Sequence, residues 1–194
     1  GEPRGEGDTV PATSPITRDD ASGGSDNQVV IINTTGAYAA PVIAIVDVVG
    51  DITEGTTLTD NGAITFTDLD LTDTPIATET TSTVVTSIAG GLTATQQADI
   101  EAAFSIINVG TNTNNGTVTW DYTITEGELD FLAEGETVTA TFTITVDDGN
   151  GGSDTQDVII NITGAYDAPV IAIVDVVGDI TEGTTLTDNG AITF

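Results

Sequence analysis

The chain has no cysteine, no histidine and no methionine, one tryptophan and only two basic side chains. Each absence removes a class of chemistry. Without Cys there are no disulfide staples, and without Cys and His there are no thiolate or imidazole metal ligands and no Ser–His or Cys–His nucleophile pairs. An enzyme is not expected. Arg4 and Arg18 stand against 31 Asp and Glu, a formal charge of −29, and from residue 19 onward no Lys or Arg is available to pair a carboxylate. Such a surface repels nucleic-acid phosphates and anionic lipid head groups and invites cations. Neither nucleic-acid binding nor membrane insertion is expected, since no apolar run approaches the ~20 residues of a spanning helix. A basic, apolar, cleavable leader is also missing. That says nothing about export, because residue 1 already lies inside a repeat.

What is present is a repeat. Residues 41–66 and 169–194 are the same 26 residues, at an offset of 128 (169 − 41). Upstream at that offset, "SGGSDNQVVIINTTGAYAAPV" (22–42) matches "NGGSDTQDVIINITGAYDAPV" (150–170), and a weaker match continues toward residue 1. Three parts follow: the degenerate end of one repeat (1–40), one whole repeat (41–168) and the start of a third (169–194). In the degenerate part Pro3, Arg4, Ser14 and Arg18 stand where the whole repeat has Phe131, Leu132, Phe142 and Val146. Residues 1 to about 25 are therefore expected to be irregular.

Within the whole repeat the hydrophobic period is two. Val118, Trp120, Tyr122 and Ile124 alternate with Thr and Asp; Val138, Ala140, Phe142, Ile144 and Val146 alternate with Thr, and Val158, Ile160 and Ile162 with Ile and Asn, giving three half-buried strands. Residues 42–50, 62–66 and 81–88 read as further strands. Asn61-Gly62, Asn115-Gly116 and Asn150-Gly151 read as turns. One short helix is expected at 93–104, capped by Thr93, with Ala98, Ala102 and Phe104 on its inner face. The fold predicted is an all-β, antiparallel Greek-key sandwich of immunoglobulin-like type.

Up-and-down alternation of these strands gathers carboxylates at two ends. Asp68, Asp70 and the 147–150 turn with Asp148 fall at the pole beside the first linker; Glu54, the acids at 126–134 and Asp167 fall at the other. Clustered carboxylates without nearby Lys or Arg suit calcium, which takes six to eight oxygens. The bland alternatives are solvated turn residues or a generally acidic surface. Asp68 to Glu79 has acids at positions 1, 3 and 12 of an EF-hand loop, but Asp73 replaces the required Gly and strands flank it. "DGNGGSD" (148–154) resembles one β-roll turn but is not repeated. Paired acids also suit glycosidases, which need an aromatic-lined cleft, whereas alternation points Trp120 inward.

The stretch "LDFLAEGETVTATFTITVDDGNGGSDTQDVIINITGAYDAPV" (129–170), preceded by "NGTVTWDYTI" (115–124), resembles the VCBS-type repeats of giant bacterial RTX adhesins and biofilm-associated surface proteins. "FTDLD" and "AYDAPV" look like short versions of the cadherin DXD and linker motifs. The resemblance implies cadherin-like extracellular sandwiches strung end to end and bound to calcium, with Asp68, Asp70 and Asp148, and secondarily Glu54 and Asp167, as ligands. The linkers differ: Ala39 stands where the second has Asp167. The expected role is a structural extender of a secreted or surface adhesin, with a carbohydrate- or peptide-binding adhesion module as the alternative. The expected partners are calcium, neighbouring repeats and, through 1–40 and 169–194, further copies joined head to tail.

Overall fold

The structure is a computed structural model that describes residues 9–36, 39–108, 113–169, 171–184, 187 and 189–194. Two four-stranded sheets face each other across the centre of the chain. One has the order β3 (Val42–Asp47), β5 (Thr59–Thr67), β8 (Asn115–Thr123), β7 (Phe104–Asn108). The other runs β4 (Val49–Thr53), β10 (Ser153–Thr163), β9 (Thr137–Asp147), β6 (Ile76–Thr86). Every pairing is antiparallel except β4 on β10, which is parallel. The immunoglobulin-like sandwich read from the sequence is what forms.

Alternation is why these strands bury what they bury. In β9, Val138, Ala140, Phe142, Ile144 and Val146 point inward and are buried; in β10, Val158, Ile160 and Ile162 do so; from β8 come Val118, Trp120 and Tyr122. Phe104 stacks on Phe142 with ring centroids 4.1 Å apart, tying β7 to the opposite sheet. Trp120 is the largest of the fully buried side chains, its indole N–H donating to the carbonyl of Asp47 at 2.7 Å. Gly62 is the reason it fits: a Cβ there would stand 2.5 Å from the indole.

That contact explains two departures from the sequence reading. Asn61-Gly62 is inside β5 and not a turn, because this glycine makes room for Trp120. Residues 42–50 are not one strand. The Asp47 carbonyl is taken by the indole, the register slips between Ile45 and Asp47, and after Val48 the chain crosses to the other sheet as β4. Asn115-Gly116 likewise opens β8, while Asn150-Gly151 lies in the turn expected, with Gly149 and Gly151 at positive φ. The helix α1 (Ala94–Ala102) forms with Thr93 as cap and Gln96 closing the capping box. Its inner residue is Ile100, not Ala98 or Ala102, and Phe104 already belongs to β7. A helix of so few residues meets the core only near its last turn, where Tyr122 Oη donates to the Ile100 carbonyl at 3.2 Å.

The flanking parts are paired but uncovered. β1 (Thr9–Asp19) and β2 (Ser25–Thr35) form a regular hairpin, so the irregularity expected up to residue 25 is wrong for residues 9–19; residues 1–8 lie outside those described. Loss of large side chains removed the core and not the ladder. β11 (Ala172–Asp175) and β12 (Ala191–Thr193) make a second small sheet.

Candidate metal centre

The near pole of the sandwich, beside residues 39–42, is built from three connections. After β5 the chain turns through Asp68, Asp70 and Asp73 into β6. The turn is closed by Asp70 N–H donating to Asp68 Oδ1 (2.8 Å) and by Asp73 N–H donating to the Asp70 carbonyl (3.0 Å). The β7–β8 connection anchors it, Asn114 Nδ2 donating to the Asp68 carbonyl at 2.8 Å. The β9–β10 turn completes it: Asp148 Oδ1 accepts from the N–H groups of Asn150 (2.7 Å) and Gly152 (3.0 Å), and Asn150 Nδ2 reaches across to Asp73 Oδ1 at 2.9 Å.

The result is a buried acidic nest. Asp68, Asp73 and Asp148 are 4%, 6% and 5% exposed, and carboxylate oxygens of Asp68, Asp70 and Asp73 all lie within 4.8 Å of one another. Asp68 Oδ2 is buried with no hydrogen-bond partner. Burial above all pushes the Asp68 carboxyl above its ordinary 3.8, opposed by the Asp70 N–H, with the charges of Asp73, Asp70 and Asp148 adding to the rise. A buried carboxylate oxygen without a donor costs free energy until a proton or cation meets it. The donor set is all hard oxygen, which suits calcium and not a thiolate- or imidazole-seeking metal.

Asp68 and Asp70 are brought together; Asp148 lies at the same pole, near enough for its charge to act on Asp68 but outside the group of oxygens that lie within 4.8 Å of one another. Asp73 was missed, having been read only as the residue that spoils an EF-hand. The signal was its place in D-x-D-x-x-D, where a tight turn folds the third acid back on the first two. The linker also takes part: Ala39 N–H donates to Asp70 Oδ2 at 3.0 Å, so the residue lacking an acid contributes through its backbone.

Glu54 and Asp167 sit at the opposite pole. Glu54 is fully buried; its Oε2 accepts from Ala165 N–H at 2.8 Å while Oε1 has no partner. Its carboxyl is raised above 4.5 by burial first, opposed by the Ala165 N–H, with Asp167, Glu126 and Asp130 adding to the rise. Glu126 is held there by Gly55 N–H at 3.0 Å. Beside this group runs a shallow groove lined by Asp130, Phe131, Glu134, Tyr166 and Asp167. Tyr166 is 72% exposed; it follows β10, beyond which alternation no longer governs direction.

Residues 72–161 match the bacterial Ig domain family. No curated protein matches the chain in sequence. Among solved structures, the sialic acid binding region of the Streptococcus sanguinis SK1 adhesin bound to 3'sLn is 17% identical with a TM-score of 0.37, covering 81% of this chain. The chain spans only 37% of that adhesin region. The ASH / PapD-like domain of human CEP192 is 11% identical, with a TM-score of 0.39 over 66% of this chain and 87% of its own. Domains 4-9 of the surface layer protein SbsC are 15% identical, with a TM-score of 0.33 over 91% of this chain and 22% of their own. The family match and the paired sheets agree on an immunoglobulin-like fold for the centre of the chain.

Proposed function

We propose that this chain belongs to a structural extender of a bacterial surface or secreted adhesin, the end of one repeat (1–40), one whole repeat (41–168) and the start of a third (169–194), whose poles are stiffened by calcium. The observation that carries this reading is the buried, donor-less Asp68 Oδ2 facing Asp70 and Asp73, with the linker's Ala39 hydrogen-bonded to the same Asp70. A cation held there offsets the mutual repulsion of the acids and fixes the linker against the body, turning a flexible joint into a stiff one. Glu54 with Asp167 supplies the corresponding half-site toward the following repeat. The test is calorimetry with calcium and with chelator: calcium should raise the Tm clearly, and Asp68→Asn should abolish most of that rise. Identical melting curves in the two conditions would refute the calcium-stiffened reading.

A second reading, a carbohydrate- or peptide-binding adhesion module, is favoured by one observation, the exposed Tyr166 in its acid-lined groove. A glycan array probed with the chain and with Tyr166→Ala decides it; binding lost in the variant supports the module, and no binding leaves the extender.

A further inference from the structure

At the near pole the β9–β10 turn reaches the β5–β6 turn through an amide: exposed Asn150 sends its Nδ2 to Oδ1 of buried Asp73, 2.9 Å away. The turn itself does not need that amide. In the β1–β2 copy Ser22 stands in its place, and Asp20 Oδ1 still accepts from Ser22 and Gly24 N–H, both at 2.8 Å. What Asn150 adds is the tie to Asp73.

The residue that follows is Gly151, whose nitrogen, with no Cβ beside it, is the least hindered group that can attack an asparagine side chain. The whole repeat holds three such Asn-Gly pairs, at 61, 115 and 150, and the fold treats them differently. Gly62 lies within β5 opposite Trp120, and Gly116 within β8 opposite Phe66, where the ladder holds the backbone extended. Asn150 lies outside the strands, between Gly149 and Gly151 at φ of 79° and 109°. The N–H groups around it are spoken for: Gly149 donates to Asp147 Oδ1 at 2.7 Å, and Asn150 and Gly152 donate to Asp148 Oδ1 at 2.7 and 3.0 Å. The Gly151 N–H, exposed to water, makes no hydrogen bond among the described residues.

We propose that Asn150 is a site of spontaneous deamidation, and that its conversion to an acid makes closure of the near pole depend on a bound cation. The Gly151 nitrogen bonds to Asn150 Cγ while its proton passes through water to Nδ2; the Cγ–Nδ2 bond breaks and ammonia leaves. Water then opens the cyclic imide at one or other carbonyl, leaving aspartate or isoaspartate at 150. Water is the only co-reactant. The product reverses the contact, because a donor to Asp73 becomes a carboxylate beside it, and from residue 19 onward no Lys or Arg is available to offset the added charge. The two turns are pushed apart unless a cation sits between them, and that cation gains one more oxygen ligand. The loss of closure needs no calcium; its repair by calcium rests on the reading proposed above.

The test is to age the full chain in warm, mildly alkaline buffer with chelator, cut it after its aromatic residues with chymotrypsin, and sequence the fragments by mass spectrometry. Asn150, in fragment 143–166, should convert at least about tenfold faster than Asn61 in 39–66 or Asn115 in 105–120, which must wait for the ladder to open. Freshly made Asn150→Asp should melt about 4–8 °C below the wild type in chelator, and aged wild type should move toward it. Asn150→Ser, which keeps the turn as Ser22 does and has no amide to lose, should melt at the same temperature before and after ageing. Conversion at Asn150 no faster than at Asn61 and Asn115, an Asn150→Asp chain that melts with the wild type in chelator, or an Asn150→Ser chain that ages as the wild type does would each overturn the proposal. Calcium should raise the Tm of Asn150→Asp more than that of the wild type; an equal or smaller rise would overturn the calcium reading on which the repair rests and leave the deamidation standing.

Discussion

The hairpins β9–β10 and β1–β2 are two copies of one design, and only one of them has a core. Both have strands of eleven residues, and both turn in the same way. Asp20 Oδ1 accepts from Ser22 and Gly24 N–H, both at 2.8 Å, as Asp148 Oδ1 accepts from Asn150 and Gly152. Asp20 N–H donates to the Gly24 carbonyl at 2.8 Å, and Asp148 N–H to that of Gly152 at 3.1 Å. Yet every residue of β2 is exposed, while in β10 Val158, Ile160 and Ile162 are buried. Register in this protein is a local property of the Asp-anchored turn and the alternating ladder. Burial is a property of what the other sheet supplies.

Paired substitutions break the two copies apart. Ile160→Ala should destabilise the central domain by about 2–5 kcal/mol, the usual cost of emptying a buried site, whereas Ile32→Ala should change its stability by less than about 0.5 kcal/mol. Urea unfolding read from Trp120 checks both. Next comes Gly152→Ala, whose Cβ would stand 2.3 Å from Asp148 Oδ2 and 2.8 Å from Ala40 Cα. A loss of about 1–3 kcal/mol is expected from this overpacking. Gly24→Ala meets only the movable carboxylate of exposed Asp20 and should leave the same unfolding curve where it was.

Asp148→Asn against Asp20→Asn separates the turns by charge. The first should weaken calcium binding about tenfold or more by removing one negative oxygen donor set, the second not at all, as read by calorimetric titration. The smallest effect is on pH. Asp20 is held below its ordinary value by the Gly24 and Ser22 N–H groups, whereas Asp68 and Glu54 are raised by burial and acidic neighbours. A raised carboxyl holds its proton more tightly folded than unfolded, so the folded state gains stability as pH falls. That gain is complete below the ordinary values, 3.8 for Asp68 and 4.5 for Glu54, and is lost as pH rises through the raised folded values. Glu128, lowered by its bonds to Thr125, acts in the opposite sense only below 4.5. In chelator, Tm should therefore rise on mild acidification from neutral pH, and saturating calcium should flatten the trend; a Tm that falls across that window would contradict the assignment of these two groups.

The comparison also locates what sequence could tell. The repeat, the three alternating strands and the gathering of Asp68, Asp70 and Asp148 at one pole were all legible, since period and parity depend on neighbours along the chain. What escaped depends on one long-range partner. The crossing of strands at Val48 and the in-strand Gly62 both follow from where the Trp120 indole lies, which no local pattern reveals. Asp73 escaped because a turn, not a period, returns it to the cluster. Residues 9–19 keep their strand although the core side chains are gone, because the ladder needs only backbone groups.

The parallel pairing of β4 with β10 has a mechanical consequence. The chain enters the sandwich at one pole and leaves it at the other, and these two strands, near its first and last, lie side by side. Tension applied through the ends draws β4 one way and β10 the other along their common axis. The rungs from Val49–Ile159 to Thr53–Thr163 are then sheared all at once, whereas a hairpin pulled from its open end parts rung by rung. Stretched between its termini, the central sandwich should hold until it yields in one abrupt step.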